Sequence, residues 1–344
     1  MRLPLNLLAL PKAELHVHLE GSIEPAAAAQ LASRCGAAIS EREVTERYAP
    51  GDFARFLDAF KWVTSFLRAP EDYALVATQL AESLVRQNVL YAEVTLSAGV
   101  MLRREQDPLA NLAAIRKAAS QVPGIRINWI FDAVRQFGPQ AAMEVARLAS
   151  SARNDGVVAF GMGGDELALP AEDFRRVFEF AAAQGLHRLV HAGEIGGPEQ
   201  VNEAVDLLGA ERIGHGIAAM RSERTMDYLA ARGVTLEVCP TSNLRTGALA
   251  RQLEKAEAQA SEHPLQLFLR RGLSVTLGSD DPAMFETTLT AEYELARAMG
   301  LREPELVALA EAGFSAAFLS EEDRRRLLGS FQQRRAATET QDLV

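Results

Sequence analysis

The stretch LHVHLEGS, residues 15–22, places two histidines one residue apart among apolar neighbours near the start of the chain. Side chains alternate across a β-strand, so His16 and His18 share one face while Leu15, Val17 and Leu19 take the other. Imidazole nitrogen is the commonest protein ligand for zinc, so two imidazoles one pleat repeat apart on a rigid strand make half of a metal site. The alternative is a pair of core or surface histidines satisfied by backbone carbonyls. What the rest of the chain supplies decides between them.

Working outward from this stretch, seven further β-like runs follow the first, ELHVH (14–18). They are VLYAEVTL (89–96), IRINWIFDA (125–133), VVAFGMGG (157–164), HRLVHAGE (187–194), ERIGHG (211–216), VTLEVCP (234–240) and LSVTLGSDD (273–281). Between them, stretches such as 171–185, 198–210 and 222–233 set apolar residues three or four apart and end near Gly, as amphipathic helices do. Alternating strand and helix implies a parallel sheet. Eight units favour a closed (β/α)8 barrel of the TIM type over an open doubly wound sheet. We expect one domain over 1–344. The long interval at about 23–86, with the helical pattern GDFARFLDAFKWVTSFL (51–67), reads as a helical insertion over the barrel mouth, with a separate small domain as the alternative. The end, RRAATETQDLV (334–344), is polar and is expected to be loose.

Composition narrows the function. Of 344 residues, 48% are hydrophobic and 24% charged, an ordinary globular balance with ample material for a core. A net charge of -10 argues against a nucleic-acid binder or attachment to an acidic membrane, and favours a small-molecule partner. No apolar run approaches the roughly 18 residues of a membrane span, and Pro11 and Lys12 interrupt the first apolar run too soon for a signal peptide. A cytoplasmic protein is expected. Cys35 and Cys239 are too few for a disulfide framework or a cysteine-rich zinc site, so any metal must be held by histidines and carboxylates.

Polar residues unusual for a core close five of the candidate strands: His16 and His18 the first, Gly164, Asp165 and Glu166 the fourth, His191 and Glu194 the fifth, His215 the sixth, Asp280 and Asp281 the eighth. In a barrel these ends converge on one face, where such enzymes keep their sites. Three imidazoles and a carboxylate suit zinc or a similar divalent ion with a position open for water. Taken singly, each residue has a plain structural reading, such as a helix cap for Asp280 and Asp281 before Pro282. Their joint placement at strand ends does not. His187 and His263 receive no role.

PKAELHVHLEGS (11–22), HAGE (191–194), RIGHG (212–216), CPTSN (239–243) and SDDP (279–282) resemble, in order, the signature blocks of the adenosine deaminase family within the metal-dependent amidohydrolase superfamily. The resemblance implies a (β/α)8 barrel with one zinc per chain that removes the 6-amino group of an adenine ring by hydrolysis; Fe, Mn or Co can occupy similar ligand sets. It gives His16, His18, His191 and Asp280 as metal ligands and Glu194 as proton donor to ring N1. It gives His215 as the residue that positions and deprotonates the metal-bound water, Asp281 as the partner of N7, and Gly164 as a backbone donor near N3.

One position departs from the family pattern. Adenosine-specific members carry aspartate facing the sugar's 5′ end where this chain has Glu20. The departure points to a 5′-modified adenine nucleoside, with aminodeoxyfutalosine, an intermediate of menaquinone biosynthesis, leading and adenosine close behind. Free adenine is a further alternative, and a non-catalytic purine-binding protein is the alternative of a different class. The P-C-x-x-C pattern of cytidine-type zinc deaminases is absent.

Overall fold

The structure, a computed structural model, describes residues 5–341, with side chains through Ala336. Eight parallel strands alternate with helices: β1 (Lys12–His18), β2 (Val89–Leu96), β3 (Arg126–Val134), β4 (Val157–Gly163), β5 (His187–Ala192), β6 (Arg212–His215), β7 (Thr235–Val238) and β8 (Ser274–Leu277). They pair in chain order around one sheet. β8 returns to β1 through a parallel bridge between Val17 and Asp280, where His18 N–H donates to Asp280 O and Asp280 N–H donates to His16 O, each at 2.8 Å. This closes the (β/α)8 barrel, and it closes at the opening H-x-H pair.

The two faces of β1 separate as alternation requires. Leu15 and Val17 are fully buried against the helical layer, and the histidines face the barrel axis. In that outer layer Phe160 of β4 meets Phe178 of the helix Arg175–Ala183 edge to face, 5.0 Å between ring centroids. Each such ring contributes about 1.5–3 kcal/mol by leaving water. Inside the barrel, beneath the strand ends, the filling is charged. Arg212 donates to Glu93 and to Ala316 O (2.9 Å), lies 2.5 Å from Glu237, and covers the Phe318 ring at 3.6 Å. A buried guanidinium is tolerable only with such partners on every side.

Four helices occupy the interval between β1 and β2: α1 (Pro25–Arg34), α2 (Glu41–Arg47), α3 (Phe53–Thr64) and α4 (Pro70–Arg86). Their starts are written in the sequence: proline opens α1 and α4, Ser40 and Glu43 form a reciprocal capping box on α2, and Asp52 accepts the Arg55 N–H at 2.9 Å on α3. α4 packs on the helix Pro108–Ala119 outside the barrel, whereas α3 presents side chains to the cavity at the strand ends. The chain end departs from expectation. The last helix, Glu321–Gln341, continues through most of the stretch read as loose, because alanine and long straight side chains there favour helix; residues 342–344 lie outside the described part. Among the described residues no helix is long and apolar enough to cross a membrane.

Candidate active site

The strand ends bring His16 and His18 (β1), His191 (β5) and Asp280, just after β8, together so that one ligand atom from each lies within 4.8 Å of the others. His16 Nδ1 meets Glu237 Oε2 at 2.7 Å, which turns Nε2 towards the cluster. There His16 Nε2 and His191 Nδ1 are both buried without a hydrogen-bond partner. Burial opposes charge on His16 and His18, yet Asp280 and Glu237 draw His16 up to about 10, and Asp281 and Asp280 draw His18 up to about 9. The carboxylates thus call for positive charge at this point. Burial and the neighbouring imidazoles hold His191 well below the usual histidine range, in the neutral form a metal requires. Orphaned imidazole nitrogens around a carboxylate fit a divalent cation.

Two backbone features make the convergence possible. His215 (φ 62°) and Asp280 (φ 60°) adopt the left-handed conformation rare for residues with a side chain, a strain characteristic of functional sites. Gly214 lets the rings close in, since a Cβ there would lie 2.8 Å from His16 Cε1 and 3.2 Å from His191 Cγ.

Glu194 and His215 stand beside the cluster, with His215 Nε2 3.8 Å from Glu194 Oε2 and 3.9 Å from Asp280 Oδ2. Burial, reinforced by Asp280 and Glu166, raises the Glu194 carboxyl well above the usual range, which favours its protonated form. The loop carrying it is fastened by Glu166, which accepts the N–H groups of Gly193 (2.6 Å), Ile195 and Gly196. Burial pushes His215 down to about 3, so it is neutral.

Its tautomer follows from a chain of contacts. Leu265 N–H can only donate, and it meets His263 Nδ1 at 3.2 Å; His263 therefore carries its proton on Nε2 and donates to Asn243 Oδ1 at 3.3 Å. That fixes the amide, so Asn243 Nδ2 donates to His215 Nδ1 at 3.2 Å and leaves the His215 proton on Nε2. His263, given no role from the sequence, anchors this relay.

The remaining candidates divide. Gly164 and Asp281 line the cavity. Asp281 is raised well above its usual range by burial and by Asp280, and its Oδ1 has no partner; Gly21 is required beneath it, because a Cβ there would collide with the carboxylate. Glu20 is buried behind Ser97: its Oε1 accepts the Ser97 N–H at 3.0 Å, its Oε2 is unpartnered, and Ser97 rather than Glu20 lines the cavity. Asp165 does not line it, and its Oδ1 accepts the Leu167 N–H at 3.1 Å. Sequence reasoning missed Asp132, a buried carboxylate at the end of β3 that faces the cavity and that burial raises to about 7. It also missed Glu237 and Asn243. A charged residue between the apolar residues of VTLEV was the available signal for Glu237.

A (β/α)8 barrel that gathers three imidazoles, an aspartate and a buried glutamic acid at its strand ends has the architecture of a metal-dependent hydrolase. The chain belongs to the adenosine deaminase family, matching it over residues 11–334, and it is a hydrolytic aminohydrolase. It is similar to an aminodeoxyfutalosine deaminase from Streptomyces coelicolor, 40% identical over 330 residues that cover 93% of this chain and 83% of the relative. An adenine deaminase from Chelativorans sp. is 38% identical over 325 residues, covering 92% and 97%. Among solved structures, an amidohydrolase from Burkholderia ambifaria with bound Zn superposes with a TM-score of 0.85 at 27% identity, covering 97% of this chain and 93% of that one.

Proposed function

We propose that this protein is a zinc-dependent deaminase that replaces the 6-amino group of an adenine nucleoside by oxygen and releases ammonia. Its leading substrate is the 5′-modified nucleoside aminodeoxyfutalosine, with adenosine next. The observation that carries the reading is the cluster His16, His18, His191 and Asp280 with the buried Glu194 carboxyl, raised well above its usual range, alongside. When bound by those four residues, a divalent ion supplies Lewis-acid activation of water at neutral pH.

The chain's own residues do the rest. An adenine C6 is a poor electrophile until its ring nitrogen is protonated, and Glu194 holds the proton to give N1. With its proton on Nε2, His215 begins as a donor that orients the attacking oxygen; the proton that water gives up passes to the free oxygen of Asp280, 3.9 Å from His215 Nε2, and from there to the departing ammonia. The expected role, in which His215 itself takes the water's proton, is the alternative to this route. Asp281, raised by burial and by Asp280 and unpartnered at Oδ1, can in its protonated form donate to N7, and the backbone at Gly164 serves N3.

Relatives bearing both adenine deaminase and aminodeoxyfutalosine deaminase names support the base and leave the sugar side to this chain's own residues. Free adenine is a further reading after adenosine, supported by the 38% identity of the Chelativorans enzyme. Elemental analysis joined to an ammonia-release assay tests the proposal. One equivalent of divalent metal per chain with adenine-nucleoside turnover is expected, and active protein without stoichiometric metal would refute it.

A further inference from the structure

The loop that carries Glu194, residues 193–197, belongs to neither β5 nor the helix Pro198–Asp206 that follows it, so side chains of other elements must hold its backbone. One carboxylate collects the N–H groups. Glu166, just after β4 and only 5% exposed, accepts from Gly193 through Oε2 at 2.6 Å and from Ile195 and Gly196 through Oε1. The carbonyls are collected by the helix Ala248–Gln252. Gln252 Nε2 donates to Glu194 O at 2.9 Å and to Gly196 O at 2.7 Å, and Arg251 Nε donates to Ile195 O at 2.7 Å.

The local sequence is fitted to this arrangement. HAGEIGG (191–197) supplies glycine where the carboxylate comes close: a Cβ at Gly196 would lie 3.1 Å from Glu166 Cδ, and Gly193 takes φ 71°. Amides converging on one carboxylate make an anion-binding nest, here filled by the chain itself. Three donors shared between two oxygens need a full carboxylate: glutamine offers one acceptor oxygen, and aspartate falls one methylene short. The buried guanidinium of Arg135 interacts with the same carboxylate. Glu166, Arg251 and Gln252 do not line the cavity, so they act on a bound base only through the loop they hold.

We propose that Glu166 is a positioning residue for the reaction: by gathering the amides of Gly193, Ile195 and Gly196 it fixes the loop that presents the Glu194 carboxyl to the base, and it affects turnover only through Glu194. The proposal rests on the adenine-nucleoside reading above, in which Glu194 protonates N1, and extends it to a residue outside the cavity. A general acid works only within hydrogen-bond reach of the atom it protonates. A displacement of about 1 Å in such a group costs on the order of 100-fold in rate, so the rigidity of this loop bears directly on kcat.

The test is a double-mutant cycle of Glu166→Gln and Glu194→Gln, read by kcat, KM and metal content, joined to amide hydrogen exchange of the loop in the parent and in Glu166→Gln. In the parent background Glu166→Gln is expected to lower kcat by about tenfold or more, with KM moving far less and bound metal retained. Added to Glu194→Gln it should lower kcat no further, since a side chain without the transferable proton gains nothing from being held in place. The amides of Gly193, Ile195 and Gly196 should exchange faster in Glu166→Gln. Glu166→Asp, which keeps the charge, should fall between parent and Glu166→Gln, and the cycle run with it decides the matter should Glu166→Gln fail to fold. Equal losses of kcat in both backgrounds would make Glu166 a structural residue only, and unchanged kcat or unchanged exchange would likewise overturn the proposal. A parent that turns over no adenine nucleoside would overturn the deaminase reading and any role in turnover with it, while faster exchange would still establish the hold of Glu166 on the loop.

Discussion

Asn243 donates its side-chain amide to His215 Nδ1 at 3.2 Å, and that single bond decides which nitrogen of His215 faces the reaction centre with a proton. Asn243→Asp reverses the polarity, because a carboxylate only accepts and would hold the proton on Nδ1. Asn243→Leu removes the restraint. Both are expected to lower kcat on the order of 100-fold with little change in KM and no change in metal content. Unaltered kcat in Asn243→Asp would show that the tautomer is irrelevant to turnover.

Glu194 lies beside His215, and burial, reinforced by the carboxyls of Asp280 and Glu166, raises it. Glu194→Gln keeps a hydrogen-bonding group and loses the transferable proton. We expect metal content to persist and kcat to fall by about 100-fold or more, with KM moving far less. Steady-state kinetics with metal analysis of the same preparation checks this, and near-parental kcat would place the N1 proton elsewhere.

Glu20 accepts the Ser97 N–H through one oxygen and leaves the other buried and unpartnered behind the cavity wall. Shortening it in Glu20→Asp withdraws that support from Ser97 and opens room at the sugar side. The kcat/KM ratio of extended nucleoside to adenosine should therefore shift towards adenosine. A ratio identical to the parent's would remove Glu20 from specificity.

Glu292 offers a pH test away from the reacting atoms. Burial raises its carboxyl from the usual 4.5 to about 7, although Thr241 N–H (3.0 Å) and the Thr287 hydroxyl (2.5 Å) donate to it. Between about pH 4.5 and 7 the folded state keeps a proton that the unfolded chain has released. Stability through this group therefore falls as pH rises across that window, by up to about 3 kcal/mol. Glu292→Gln is free of this loss. Its Tm advantage over the parent should be smallest near pH 4.5 and largest above pH 7, and a gap independent of pH would contradict the assignment.

The strands were legible because a parallel barrel is written as short apolar runs bounded by Gly, and the metal cluster because its histidines and Asp280 sit where those runs end. Residues that act through others left little local trace. Asp132 reads as one polar residue inside IFDA, and Asn243 joins His215 across 28 positions of chain while His263 joins Asn243 across 20, contacts made only in space. The phenylalanines of α3 carry the spacing of an ordinary core-facing stripe, and only the fold shows that they face a cavity. The helix reaching Gln341 was missed because a polar surface helix has no apolar period to announce it.

The most direct test of the account is a comparison of kcat/KM for aminodeoxyfutalosine, adenosine and adenine on one metal-analysed preparation of the parent enzyme. The account expects aminodeoxyfutalosine to exceed both others by about tenfold or more, the discrimination available to a site built around the extended sugar. Equal or higher kcat/KM for adenosine or free adenine would contradict it.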